Sequence, residues 1–134
     1  MTEQQPKLSI ITAVYNQLPM NQIYWENLVK NTKNSFELIV IDNASTDASA
    51  DFFESVGVRV IRNLGNFSYP VSQNQGISIA KGEWLAFLNN DIIVSEGWDE
   101  TLIANAEHNQ LDVITSCGIE RIESKSATKK LRRR

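Results

Sequence analysis

Three short stretches carry side chains able to do chemistry: Tyr15-Asn16, Asp42-Asn43 and Asn89-Asn90-Asp91. Each follows directly on an apolar run. Carboxylate and amide oxygens suit a hard divalent cation such as Mg²⁺ or Mn²⁺, and amides and carboxylates placed in a cleft can hydrogen-bond a base or a ribose. The competing reading is a set of turns, because Asn and Asp side chains readily bond the backbone beside them. Only convergence of the three endings on one place favours a site over turns, so the elements that carry them matter.

"KLSIITAV" (7–14) and "FELIVID" (36–42) are continuous apolar, β-branched runs of strand length, the type buried on both faces of a parallel sheet. "VRVIR" (58–62), "EWLAFLNND" (83–91) and "LDVITS" (111–116) are predicted as further strands. Between them, helices are predicted over about 21–30, where Ile23, Tyr24 and Leu28 form a stripe, and through Phe52 and Phe53, with Ser45 or Thr46 as the cap. Two more are predicted from about Pro70 to Ala80, stopped by Gly82, and over "GWDETLIANAEHN". Alternating strands and helices imply an α/β domain with a mainly parallel sheet. In such folds ligands bind outside the carboxyl ends of the strands, where all three polar stretches fall.

A chain of 134 residues has room for one domain, with a core over about 7–116. Its 42% hydrophobic and 22% charged composition is that of an ordinary globular protein. No apolar run approaches the roughly 20 residues that span a bilayer, and "MTEQQPK" lacks a signal peptide's apolar core, which predicts a cytoplasmic location. Cys117 and His108 offer no zinc-type cluster, and Cys117 reads as a small half-buried strand residue. Residues 121–134 hold seven basic residues against Glu123, whereas residues 1–120 hold six against fifteen acids. Without interleaved aromatics, "SATKKLRRR" reads as the start of a cut-off or solvated helix and not as a nucleic-acid arm.

The segments "LSIITAVYNQ", "FELIVIDNASTD", "NLGNFSYPVSQNQGISIAKGEWLAFLNND" and "GWDETLI", in this order and spacing, resemble family-2 nucleotide-diphospho-sugar glycosyltransferases of the GT-A fold. The match spans most of residues 7–105. The resemblance implies a Rossmann-like three-layer sandwich, truncated, whose donor half binds a nucleotide-diphosphate sugar. It further implies transfer of a hexosyl group, with inversion, to a glycan or lipid-linked acceptor, in the setting of cell-envelope or surface polysaccharide assembly. A place at the inner face of the membrane, by peripheral association, goes with that setting.

By the same resemblance, Ala13, Val14, Tyr15 and Asn16 would wrap the base, and Asp42 and Asn43 would contact base or ribose, with Asn43 standing where the family carries a second acid. Asn66, Asn74 and Gly76 fall in the block near base and diphosphate, with Gly65 a candidate for a positive backbone dihedral. Asn90 would reach the ribose, and Asp91 with Asn89 would hold Mg²⁺ or Mn²⁺ on the diphosphate. Tyr15 packed on the next helix, and Asp42 as a helix cap, are the structural alternatives.

The family's general base lies beyond the donor half; Glu120 and Glu123, the only acids after residue 117, sit in no acceptor motif, so no catalytic residue is assigned and the chain alone is expected to lack activity. Uncovered apolar surface predicts self-association into a homo-oligomer. The competing function is a non-catalytic module that binds a nucleotide or nucleotide sugar. A flavodoxin-like or receiver domain would share the strand-end acids but lacks its later lysine here.

Overall fold

The computed structural model describes residues 4–116. Four strands, β1 (Leu8–Val14), β2 (Phe36–Asp42), β3 (Arg59–Arg62) and β4 (Trp84–Phe87), form one parallel sheet in the order β3-β2-β1-β4. Helices α1 (Leu18–Asn31), α2 (Ser49–Ser55), α3 (Tyr69–Ile79) and α4 (Trp98–His108) alternate with them. The chain steps outward from β1 through β2 to β3, then crosses back to place β4 on the far side of β1. The strand order therefore reverses between β1 and β4, the place where ligands bind, at the carboxyl ends, in sheets of this kind.

The continuous apolar runs of β1 and β2 are explained by burial on both faces. Leu8, Ile10, Val14, Leu38 and Val40 pack under Tyr24 and Leu28 of α1 and Phe53 of α2, while Ile11, Ile39 and Ile41 form a second cluster with Ile79. Helices thus cover both faces, giving the three-layer arrangement. Each fully buried aliphatic side chain contributes about 1.5–3 kcal/mol. A buried polar pair sits within the first cluster: the hydroxyls of Thr12 and Tyr24 lie 2.7 Å apart, and burial pushes the Tyr24 hydroxyl well above its usual pKa.

Glycine permits the close approach of α3 to the sheet. A Cβ on Gly76 would lie 2.4 Å from Ile11 Cγ2, and one on Gly82 would lie 2.4 Å from the Ser9 backbone nitrogen. Gly82 therefore serves backbone approach; the helix itself ends at the extended Ala80. Pro70 stands in the first turn of α3 as expected, and Pro19 does the same for α1, which begins three residues earlier than its apolar stripe suggests.

Three expectations are corrected. Residues 111–116 form no strand: Val113 is 84% exposed, and among the described residues the ladder of β4 runs only to β1. An apolar run needs a neighbouring edge within ladder distance, and residues 112–116 instead line an open groove together with β4 and α4. Neither Ser45 nor Thr46 caps α2, which starts later, at Ser49. Gly65 is not in the left-handed region, which among the described glycines is occupied by Gly57 and Gly97. The readings of Cys117, of Glu120 and Glu123 and of the basic segment lie outside the described residues.

Candidate functional site

The carboxyl ends of β1, β2 and β4 converge, and a buried amide organises them. Asn21, fully buried near the start of α1, donates through Nδ2 to the Asn16 carbonyl (3.0 Å) and to Ser49 Oγ (2.9 Å), and its Oδ1 accepts from Asn90 Nδ2 (2.8 Å). One side chain thereby joins the ends of β1 and β4 to the start of α2. The sequence reading missed it. The available signal was a polar residue at a position in register with Tyr24 and Leu28 on the buried stripe of α1.

A second set of bonds locks the loops beside it. Asn16, at φ 56°, accepts through Oδ1 from the Thr46 (2.7 Å) and Asp47 (3.2 Å) amides, and its own amide donates to Ser45 Oγ (2.7 Å). Asp47 accepts from the Leu18 amide (3.1 Å) and the Ser49 amide (2.9 Å), so one carboxylate serves the starts of α1 and α2. Slight burial opposes its ionisation, but hydrogen bonds from Ser49 and Leu18 outweigh this and hold its pKa below the usual value.

Asp42, the last residue of β2, is 3% exposed. Its Oδ2 accepts from the Ser45 amide at 3.1 Å, a local turn and not a helix cap. Its Oδ1 is buried without a partner. Buried polar atoms are nearly always paired, so this free acceptor at the strand-end rim calls for an explanation. Asn43 is paired throughout, donating to Ser72 Oγ (3.1 Å) and accepting from Asn63 Nδ2 (2.9 Å). Its role in the structure is to attach α3 to the end of β2.

Of the remaining sequence-chosen residues, Val14 is core, with its carbonyl taken by the Asn43 amide (2.9 Å), and Ala13 is half-buried beside it. Tyr15 is 50% exposed. Asn66 and Asn74 are exposed, while Gly76 is buried against Ile11.

The Asn89-Asn90-Asp91 ending is a turn, closed by the Ile92 amide on the Asn89 carbonyl (3.2 Å). The turn faces Asn90 inward to Asn21 and leaves Asn89 and Asp91 exposed. The segment that follows is fixed along α1: Asn27 Oδ1 accepts from the Val94 amide (2.7 Å), and Asn31 Nδ2 donates to the Val94 carbonyl (2.9 Å). Asp99 at the start of α4 accepts from the Lys33 (3.0 Å) and Asn34 (2.8 Å) amides and from Asn34 Nδ2 (2.8 Å). Burial opposes its ionisation, yet these bonds hold its carboxyl below the usual range.

Among the described residues no group of three or more His, Cys, Asp or Glu gathers as a metal cage. The donor set at the end of β4 is one carboxylate, Asp91, and the amide oxygen of Asn89. Such a set fits a divalent cation that takes the rest of its oxygen shell from phosphate and water.

The family model described as Glycosyl transferase family 2 matches residues 9–134. This chain belongs to glycosyl transferase family 2. Among its curated relatives, the uncharacterized glycosyltransferase EpsJ of Bacillus subtilis is 30% identical over 127 residues, covering 92% of this chain and 37% of that protein. The chain thus spans little more than a third of the length of that family-2 relative. Among solved structures, TarS of S. aureus superposes with a TM-score of 0.72 at 22% identity, covering 86% of this chain and 23% of TarS. A form of TarS, residues 1–349, solved with UDP gives 0.66 at 20% identity, covering 86% of this chain and 38% of that one. The mannosyltransferase PcManGT of Pyrobaculum calidifontis, in complex with GDP-Man and Mn²⁺, gives 0.61 at 20% identity over 78% of this chain and 32% of that one. These likenesses show the fold, that of the GT-A transferases. Among the described residues no helix is long and apolar enough to cross a membrane.

Proposed function

We propose that this chain is the donor-binding domain of a glycosyltransferase that moves a hexosyl group from a nucleotide diphosphate to a glycan or lipid-linked acceptor in polysaccharide assembly. The observation that carries the reading is the unpaired, buried Oδ1 of Asp42 at the strand-end rim. A carboxylate oxygen accepts hydrogen bonds, so an N–H or O–H of a ligand is a partner that would meet it. Uracil, thymine and guanine all carry a ring N–H that can meet it, and the exposed Tyr15 ring stands at the end of the adjacent strand to cover the base. That TarS was solved with UDP and PcManGT with GDP-Man supports the reading.

In this reading Asp91 and Asn89 hold Mg²⁺ or Mn²⁺ together with the diphosphate. A divalent cation held there would supply electrostatic stabilisation of negative charge on the nucleoside diphosphate. Asn21 and Asn90 keep the ends of β1 and β4 at a fixed separation, so that the two halves of the ligand are met by groups already in place. No described residue is identified as the carboxylate that would deprotonate the acceptor.

The test is equilibrium binding of UDP, GDP and dTDP to the chain and to Asp42→Asn. The amide can keep an oxygen on Ser45 while presenting N–H where an acceptor stood. A fold-preserving loss of about tenfold or more in affinity supports the reading, since a donor then faces a donor. Equal binding by both proteins, or by neither, refutes it.

A further inference from the structure

One side of β4 carries backbone groups that the sheet does not use. The Trp84 amide donates to the Lys7 carbonyl (3.0 Å) and the Leu88 amide to the Ile11 carbonyl (3.2 Å), so the even-numbered residues turn their backbone toward β1. By the alternation of a ladder, the N–H and C=O of Leu85 and Phe87 point the other way. Among the described residues no strand meets them. Beside them runs the open groove lined also by α4 and residues 112–116. The side chains alternate as well: Trp84, Ala86 and Leu88 pack against the first core cluster, while Leu85 and Phe87 are 40% and 45% exposed on the opposite face.

The two edges of the sheet differ in charge. β3 carries Arg59 and Arg62 at its ends, the charged kind of edge that resists pairing with another chain. From Trp84 to Asn90 no residue is charged. An apolar, uncharged edge with unmet backbone groups is a template for strand addition. We infer that β4 is the interface between two copies of this chain, paired antiparallel about a two-fold axis at Ala86. That register keeps both open residues within the strand. Leu85 stands opposite the partner's Phe87, and the pair exchanges both of its backbone hydrogen bonds. Directly opposed side chains share a face, so the exposed leucine and phenylalanine cover each other. Ala86 meets its own copy at the centre, a position without backbone bonds where side chains come closest, and it is the smallest side chain of β4. The edge is thus self-complementary, as a two-fold contact requires, and this selects a second copy over an unrelated strand. A strand this short makes a small interface, so the dimer is weak.

The experiment is sedimentation velocity of the chain between about 1 µM and about 1 mM, the range of weak association, with amide hydrogen exchange at Leu85 and Phe87 and with two variants. Leu85→Pro removes an N–H that points away from β1, a change that an edge strand tolerates. Phe87→Lys places a charge on the edge. A monomer–dimer equilibrium is expected, with both amides exchanging more slowly as concentration rises. Each variant should weaken dimerisation by about tenfold or more while melting close to the parent. A chain that stays monomeric overturns the inference, and protected Leu85 and Phe87 amides in that monomer would show that residues of the same chain cover the edge. A dimer that both variants form as readily as the parent overturns it too, as does growth beyond the dimer, which marks another surface. Phe87→Lys decides alone if the proline variant does not fold.

Discussion

Asn90 Nδ2 donates to Asn21 Oδ1 at 2.8 Å, joining the turn after β4 to the start of α1 where strand order reverses. The bond explains why the "LNND" ending is at once a turn and a fastening between β4 and α1. The turn places the middle amide inward as a fastening, and it leaves the flanking Asn89 and Asp91 oxygens outward. Asn90, read from the resemblance as a ribose contact, is engaged by the protein itself.

Removing the fastening should be costly. Asn21→Ala leaves Asn90 Nδ2, the Asn16 carbonyl and the Ser49 hydroxyl without their shared partner, and a loss of about 2–3 kcal/mol is expected. Chemical denaturation measures it. A variant within about 0.5 kcal/mol of the parent would mean that the three loops hold their places without Asn21.

Gly76 and Ile11 form a steric pair that a double-mutant cycle can isolate. Gly76→Ala drives a Cβ to 2.4 Å from Ile11 Cγ2, with an expected cost of about 1–3 kcal/mol. Ile11→Ala removes that methyl and opens a cavity of its own. The combined variant should be more stable than the sum of the two losses predicts, by at least about 0.5 kcal/mol. Strict additivity would show that α3 shifts freely over the sheet.

The junction of α1 with α4 should carry a pH signature. Folded Asp99 ionises below the ordinary aspartate value of about 3.9. Its contribution is therefore full above that value, drains as pH falls toward the folded pKa, and is gone below it. Asp47, Glu54 and Glu96 are also held low, so the difference between the chain and Asp99→Asn isolates the one group. At neutral pH the variant should be less stable by about 2–3 kcal/mol, because an N–H₂ then competes with the Lys33 and Asn34 amides. The gap should narrow as the medium is acidified below about pH 4; a gap constant with pH would contradict the account.

The strands were legible because β1 and β2 are buried on both faces and so are written as unbroken apolar runs. The polar rim was legible as strand-end residues, since topology alone directs them to one side. What the sequence concealed depends on contacts between distant segments. Asp47, not Ser45 or Thr46, serves the starts of α1 and α2, because the loop carrying it folds back to Asn16. "LDVITS" has strand composition, but composition cannot supply a neighbouring edge, and among the described residues β4 gives its ladder to β1 alone. Gln73 and Asn21 are ordinary helix-surface types by residue identity. Their burial became visible only once α1 and α3 were laid on the sheet.

The central claim is that Asp91 recruits a divalent cation through the nucleotide. Titration of Mn²⁺ into the chain, with and without a saturating nucleoside diphosphate, and again with Asp91→Ala, tests it most directly. One carboxylate and one amide oxygen attract the ion weakly, so Mn²⁺ should bind appreciably only with the nucleotide present, and the variant should lose that coupling. Mn²⁺ binding of equal strength with and without nucleotide, or coupling that survives in Asp91→Ala, would contradict the account.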